Sequence, residues 1–222
     1  LSRFGIEYTF VDMTDLDAVA RHIRPNTKVI YMETPSNPLL KITDIRGVVK
    51  LAKAHGCLTF LDNTFATPLL QRPLDLGVDV VLHSATKFLA GHSDVVAGLA
   101  VVKDERLAKE LRKLQYAFGA VLGVQDAWLV LRGLKTLHVR LDYASRSAMQ
   151  LAQFLHRHPK VAHVYYPGLS HHEGHVIHRD QARGFGAVLS FELENEQAVR
   201  TFVKYAHIPV FAVSLGAVES IL

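Results

Sequence analysis

The chain has 222 residues, 49% of them hydrophobic, and its 25 basic and 21 acidic side chains leave a net charge of +4 with no basic block. That length suffices for one large domain or two smaller ones, and the charge leaves no electrostatic footprint for nucleic acid. No apolar stretch reaches membrane-spanning length and no secretory signal pattern is visible. The single cysteine, Cys57, reads as a small buried hydrophobe in a reducing compartment, so a cytoplasmic protein is expected.

Hydrophobic spacing predicts the elements in order. A strand over Ile6–Val11 is followed by a helix over Asp15–Ile23 and a strand from Lys28 to Met32 that runs into Glu33. Asp44–His55 has helical spacing, with Ile45, Val48, Val49 and Ala52 on one face. A strand from Leu58 ends in Asp62, a short crossover occupies Pro68–Gly77, and a strand from Val78 ends at His83. Val95–Val102 reads as a further strand whose direction is open. This alternation predicts a mostly parallel sheet covered by helices. Two long helices come next, Asp104–Phe118 and Val124–His158, the second interrupted near Gly133. A smaller α/β unit then has strands near Val161–Tyr166, Gly186–Leu193 and Pro209–Val213 and a helix over Glu196–Ala206. The domain boundary is expected near Leu137, dividing 1–136 from 137–222. The chain starts at Leu1 and stops inside the apolar run at Ile221-Leu222, which reads as the middle of a longer polypeptide.

Chemistry concentrates where apolar runs end. Ser84-Ala85-Thr86-Lys87 follows one such run, and Lys87 there suits a lysine that holds an aldehyde cofactor. Asp62, twenty-five positions earlier, ends another run; that spacing is about one β–crossover–β unit. Both groups would then lie at the carboxyl ends of neighbouring parallel strands, where open α/β sheets bind ligands. Pyridoxal phosphate (PLP) needs this pair, a lysine for the Schiff base and an acid that keeps the pyridine nitrogen protonated. The competing reading makes Asp62-Asn63-Thr64 an ordinary turn and Lys87 a solvated side chain. A third strand-end motif, Glu33-Thr34-Pro35-Ser36-Asn37-Pro38, favours the functional reading, with prolines stiffening a polar loop on the same edge.

These motifs, with Gly91-His92-Ser93-Asp94, Leu131-Arg132-Gly133-Leu134-Lys135-Thr136-Leu137 and Ser214-Leu215-Gly216-Ala217-Val218-Glu219-Ser220, occur in the order found in the Cys/Met-metabolism (trans-sulfuration) PLP enzymes, which the chain resembles from Arg3 to its last residue. The look is nearest to the cystathionine β-lyase type of bacilli. The resemblance implies an α/β fold of the aspartate-aminotransferase-like type (fold type I), with a large PLP-binding domain and a smaller C-terminal domain. It implies Lys87 as the catalytic lysine, Asp62 on the pyridine nitrogen, Ser84 and Thr86 on the cofactor phosphate, and Thr64 against the back face of the ring. Asn37 would lie near the cofactor hydroxyl and the substrate carboxylate, Ser214 would help hold that carboxylate, and Glu33 would support the loop. The Gly-rich phosphate loop, the stacking tyrosine and the arginine that clamps the carboxylate would fall outside 1–222. The implied partners are a small sulfur amino acid and further copies of the chain in a dimer-based homotetramer, with neither membrane nor nucleic acid.

The implied reaction is elimination from L-cystathionine to homocysteine, pyruvate and ammonia in methionine biosynthesis. Cystathionine or methionine γ-lyase, the γ-replacement transferases (cystathionine γ-synthase, O-acetylhomoserine sulfhydrylase) and, in another class, a non-catalytic fragment remain alternatives. Val213 bears on that choice, because the γ-synthases and γ-lyases usually have a glutamate there that meets a polar or cationic substrate end. A continuing apolar strand is its simpler explanation. Two other patterns are set aside. His171, His172, His175 and His178 have spacings compatible with a metal, but they lie in a polar Gly-containing loop without cysteine, so no metal is expected. Gly184-Phe185-Gly186 precedes a strand instead of following one, which argues against dinucleotide binding.

Overall fold

The structure, a computed structural model, describes residues 1–222. Its organising element is a four-stranded sheet in chain order, β1 (Val29–Glu33), β2 (Leu58–Asp62), β3 (Val80–Ser84) and β4 (Gly98–Val102). The first three strands are parallel and β4 closes the edge antiparallel. Register pairs Glu33 with Asp62 and Asp62 with Leu82, so the carboxyl ends of the parallel strands lie along one edge.

Helix α1 (Leu16–His22) and helix α2 (Ile45–Ala54) cover one face of this sheet. Asp15 and Asp44 cap them by accepting from Ala18 N (2.9 Å) and Gly47 N (3.0 Å). Each such cap contributes about 1 kcal/mol. The predicted face of α2 (Ile45, Val48, Val49 and Ala52) packs with Ile30, Met32, Leu61, Val81 and Cys57 in one core. The crossover between β2 and β3 is the short helix α3 (Thr67–Leu70) and a 3-10 turn, Pro73–Leu76. Helices α4 (Glu105–Phe118), α5 (Val124–Leu134) and α6 (Leu137–His156) follow, and the expected interruption falls at Lys135-Thr136. A second core joins α5 and the start of α6 to the segment after Lys87. A third joins the rest of α6 to the antiparallel pair β5 (Val161–Tyr165) and β6 (Ser190–Leu193). Helix α7 (His175–Gln181) lies between those two strands, and α8 (Glu196–Tyr205) follows β6. No helix is long and apolar enough to cross a membrane.

Three expectations need correction. Ile6–Val11 is no strand, because no neighbour pairs with it; Tyr8 and Phe10 instead meet edge to face in solvent. Pro209–Val213 is likewise unpaired apart from a single bridge between Val210 and Ile221, and β6 starts only at Ser190. Apolar alternation supplies a strand's faces but not its partner. The histidine segment is loop only as far as Gly174. It contains α7, and His172 and His178 are buried, with Nε2 atoms at hydrogen-bond distance from Leu40 O (2.9 Å) and Gly184 O (3.0 Å). No group of three or more His, Cys, Asp or Glu side chains is arranged to hold a metal.

Burial pushes the His178 imidazole down to about 4 from its ordinary value of 6.5. A depressed folded-state value means that the unfolded chain binds the extra proton first. The contribution of neutral His178 is therefore intact above pH 6.5 and is lost as pH falls toward 4, amounting to roughly 3 kcal/mol at the acid end. Urea midpoints of the full-length protein should accordingly fall more between pH 7 and pH 5 for wild type than for His178→Gln.

Candidate active site

The site is built where the three parallel strands end. After β3 the chain makes a short turn in which Lys87 N donates to Ser84 O (3.2 Å), Ala90 N to Ala85 O (2.9 Å) and Gly91 N to Lys87 O (2.8 Å). Lys87 is half-buried, and its Nζ donates to Ser214 Oγ at 2.8 Å, across 127 positions of sequence. Ser214 is held at φ 88°, a left-handed conformation that is costly for a side chain with a Cβ. That strain is sustained at the residue that meets the amine.

Asp62, the last residue of β2, is half-buried. Its Oδ1 accepts from Thr64 N at 2.9 Å, so the turn-forming reading holds for one carboxylate oxygen. Oδ2 has no partner within the chain and remains able to accept. Thr64 Oγ1 accepts from Ser84 N at 2.8 Å and so ties the end of β2 to the end of β3. The Ser84 hydroxyl makes no hydrogen bond within the chain. Thr86 is more committed: its Oγ1 accepts from Ala97 N at 2.9 Å and donates to Ala97 O at 3.3 Å.

Glu33 ends β1 directly beside Asp62 and accepts from Asn37 N at 3.2 Å, which fixes the start of the Pro-rich loop. Burial pushes the Glu33 carboxyl above its ordinary range, the Asn37 bond opposes this, and the Asp62 charge adds to the upward shift. Tyr31, on the same face, is raised by burial and then by the charges of Asp62 and Glu33. Asn37 itself is exposed, and Val213, beside Ser214, is 94% exposed. An apolar strand therefore does not explain Val213.

Several supporting residues escaped the sequence reading. Asn63 and Gln71 are fully buried, and Gln71 Nε2 donates to Thr34 O (3.0 Å) and Asn63 Oδ1 (2.9 Å), linking the loops after β1 and β2. Gln181 on α7 accepts from Ile45 N (3.2 Å) and donates to Thr43 O (2.9 Å), while Ser190 Oγ donates to Pro38 O at 2.6 Å. The Asn37 loop is thus braced from the far unit. His83, behind the edge, is buried with Nδ1 unpartnered, and burial pushes its imidazole down. Nothing in one sequence separates a buried amide after a strand from an exposed one.

An amine, a carboxylate oxygen on the adjacent strand and an uncommitted hydroxyl converge here. This donor set fits PLP, whose aldehyde takes an amine, whose ring nitrogen takes an acid and whose phosphate takes hydroxyl and N–H donors. The fold and the donor set are those of a PLP-binding chain of fold type I. The chain matches the Cys/Met metabolism PLP-dependent enzyme family over residues 1–222 and belongs to it. It is 72% identical to cystathionine beta-lyase MetC of Bacillus subtilis over all of this chain and 57% of that protein. It is 50% identical to a cystathionine gamma-lyase of the same organism over 100% of this chain and 59% of that one. The structure of cystathionine gamma synthase from Xanthomonas oryzae pv. oryzae in complex with aminoacrylate and cysteine superposes with a TM-score of 0.93 at 47% identity, over 95% of this chain and 55% of that one. The chain spans little more than half the length of these relatives.

Thr64→Val leaves the Ser84 N–H without its acceptor and should lower unfolding free energy by about 1–3 kcal/mol. Thr64→Ser keeps the acceptor and should lose less than half as much, as read from denaturant midpoints.

Proposed function

We propose that the protein containing this chain is a PLP-dependent carbon–sulfur lyase that converts L-cystathionine and water to homocysteine, pyruvate and ammonia. The observation that carries the reading is the Lys87 amine, held 2.8 Å from Ser214 Oγ at the end of β3, with the Asp62 carboxylate at the end of the adjoining parallel strand. Identity of 72% to a cystathionine beta-lyase supports the substrate. Val213 supports it too, since an exposed valine offers no charge or hydrogen bond to a γ-substrate's distal end.

Bound PLP would supply an electron-withdrawing ring conjugated to the substrate nitrogen. Lys87 Nζ is the amine that would hold the cofactor aldehyde and, when free, take the substrate Cα proton. The Ser214 hydrogen bond orients Nζ for that transfer. Asp62 would keep the ring nitrogen protonated through the oxygen not used by Thr64 N. Ser84 Oγ, and Thr86 Oγ1 once turned from Ala97 O, would donate to the phosphate, and Thr64 would lie against the ring. Asn37, with its backbone fixed by Glu33, would meet the substrate carboxylate together with Ser214. In this reading 1–136 is part of the large PLP-binding domain and 137–222 part of the smaller one. The complete protein would act in the cytoplasm as a homotetramer.

A γ-replacement or γ-lyase reading draws support from the relatives with those names. Product analysis separates the readings. The full-length enzyme given L-cystathionine should release pyruvate and homocysteine in equal amounts; release of 2-oxobutyrate and cysteine, or turnover only with an activated homoserine, overturns the β-lyase proposal. Lys87→Ala should lose both turnover and borohydride-fixable cofactor. Asp62→Asn should retain the fold and lose about 100-fold or more in kcat, since the uncharged amide cannot hold the ring proton.

A further inference from the structure

We propose that Arg140 is a positioning residue that fixes the turn carrying Lys87; the inference rests on the assignment of Lys87 as the cofactor amine. The turn that follows β3 ends at Gly91 without continuing as a helix, so carbonyls near its end lack partners within it. Arg140, in the first turn of α6, supplies them. Its Nη1 donates to Phe88 O (2.9 Å) and its Nη2 approaches Leu89 O (3.5 Å). The same guanidinium is anchored behind by Nη2 to Gly133 O (2.9 Å) and Nε to Thr136 Oγ1 (3.0 Å).

Three observations argue that this placement serves the turn. Arg140 forms no ion pair, so its half-buried charge is held by neutral oxygens alone. A cation at the amino-terminal end of a helix is opposed by the helix dipole, so α6 gains nothing from a positive charge there. Two glycines give way to the arrangement. A methyl on Gly91 would collide with the Arg140 guanidinium, and one on Gly133 would collide with the Ala90 carbonyl. The turn is therefore gripped from behind by Arg140 and Gly133, while Ser214 holds the Lys87 amine in front. A forked, planar donor reaches several carbonyls at once, as an ammonium does not.

The test uses the full-length holoenzyme with Arg140→Met, Arg140→Lys and, as a stability control, Val164→Ala in the third core. Readouts are kcat, KM, the pH midpoint of the lysine-bound cofactor chromophore, and the melting temperature. Arg140→Met should lower kcat about 30-fold with KM changed less than about threefold, and should move the chromophore midpoint by about half a pH unit or more. Arg140→Lys should fall between Met and wild type. Val164→Ala should lower the melting temperature without moving kcat or the midpoint. Wild-type kcat and midpoint in Arg140→Met, whatever its melting temperature, overturn the proposal. Should Arg140→Met fail to fold, Arg140→Lys is scored by the same two readings. Borohydride reduction followed by peptide mapping of the wild type tests Lys87 itself. Label found elsewhere overturns the cofactor assignment, whereas label on Lys87 with unmoved Arg140 variants overturns only the positioning role.

Discussion

Parallel pairing of β1, β2 and β3 is the constraint from which the site follows. In a parallel sheet every strand leaves by the same edge, so the residues that end the strands are gathered without any loop having to fold back. Register then decides which polar groups become neighbours. Glu33 stands beside Asp62, and Asp62 beside Leu82, two positions before Ser84. Slipping one strand by a single residue would turn its polar end to the helix-covered face and bury a carboxylate in the first core. The apolar residues of that core, Met32, Leu61 and Val81, are what prevent the slip.

Gathering strand ends creates a second demand, because the loops that leave this edge carry backbone groups that cannot all reach water. The protein meets it with long polar side chains from elsewhere in the sequence. Gln71 and Gln181 serve the carbonyls of Thr34 and Thr43, His172 meets Leu40 O, and Arg140 serves Phe88 and Leu89. Leaving one such buried carbonyl unpaired costs about 1–3 kcal/mol, a large share of a typical domain's net stability. Rigidity of the site is thus purchased by residues with no chemical role in it.

That division explains what was legible in the sequence. Local signals were clear: Asp44 before the spaced apolar face of α2, Asp104 before α4, and the break before Leu137 each fell within a residue or two of the observed boundary. Lys87 and Asp62 stand out in the sequence because they follow apolar runs within ordered family motifs, and the structure places them at the ends of adjoining strands. Arg140 does not, since a basic residue four positions into a helix pattern is usually a solvated side chain. The error at Pro209–Val213 has the same root. Whether an apolar run becomes a strand depends on a partner edge, and β4 and β6 find theirs while this segment has only the isolated Val210–Ile221 bridge. His178 was misread because Gly174 and the polar residues around it suggested a loop, although its ring packs near Phe185 in the interior.

The candidate site residues occupy different kinds of structure here. Asp62 ends a paired strand, and Lys87 sits in the short turn just past another. Val213 and Ser214 lie on irregular chain, and Ser214 reaches the site through one hydrogen bond to Lys87. The hydroxyl at 214 must stay where the amine can meet it, which explains a strained φ of 88° on a residue that is not glycine. The side chain at 213 is under no such restraint, being 94% exposed. A valine or a charged residue fits there with equal ease as far as the fold is concerned. A change of side chain at 213 can therefore leave the sheet, the turn and the grip of Arg140 unaltered.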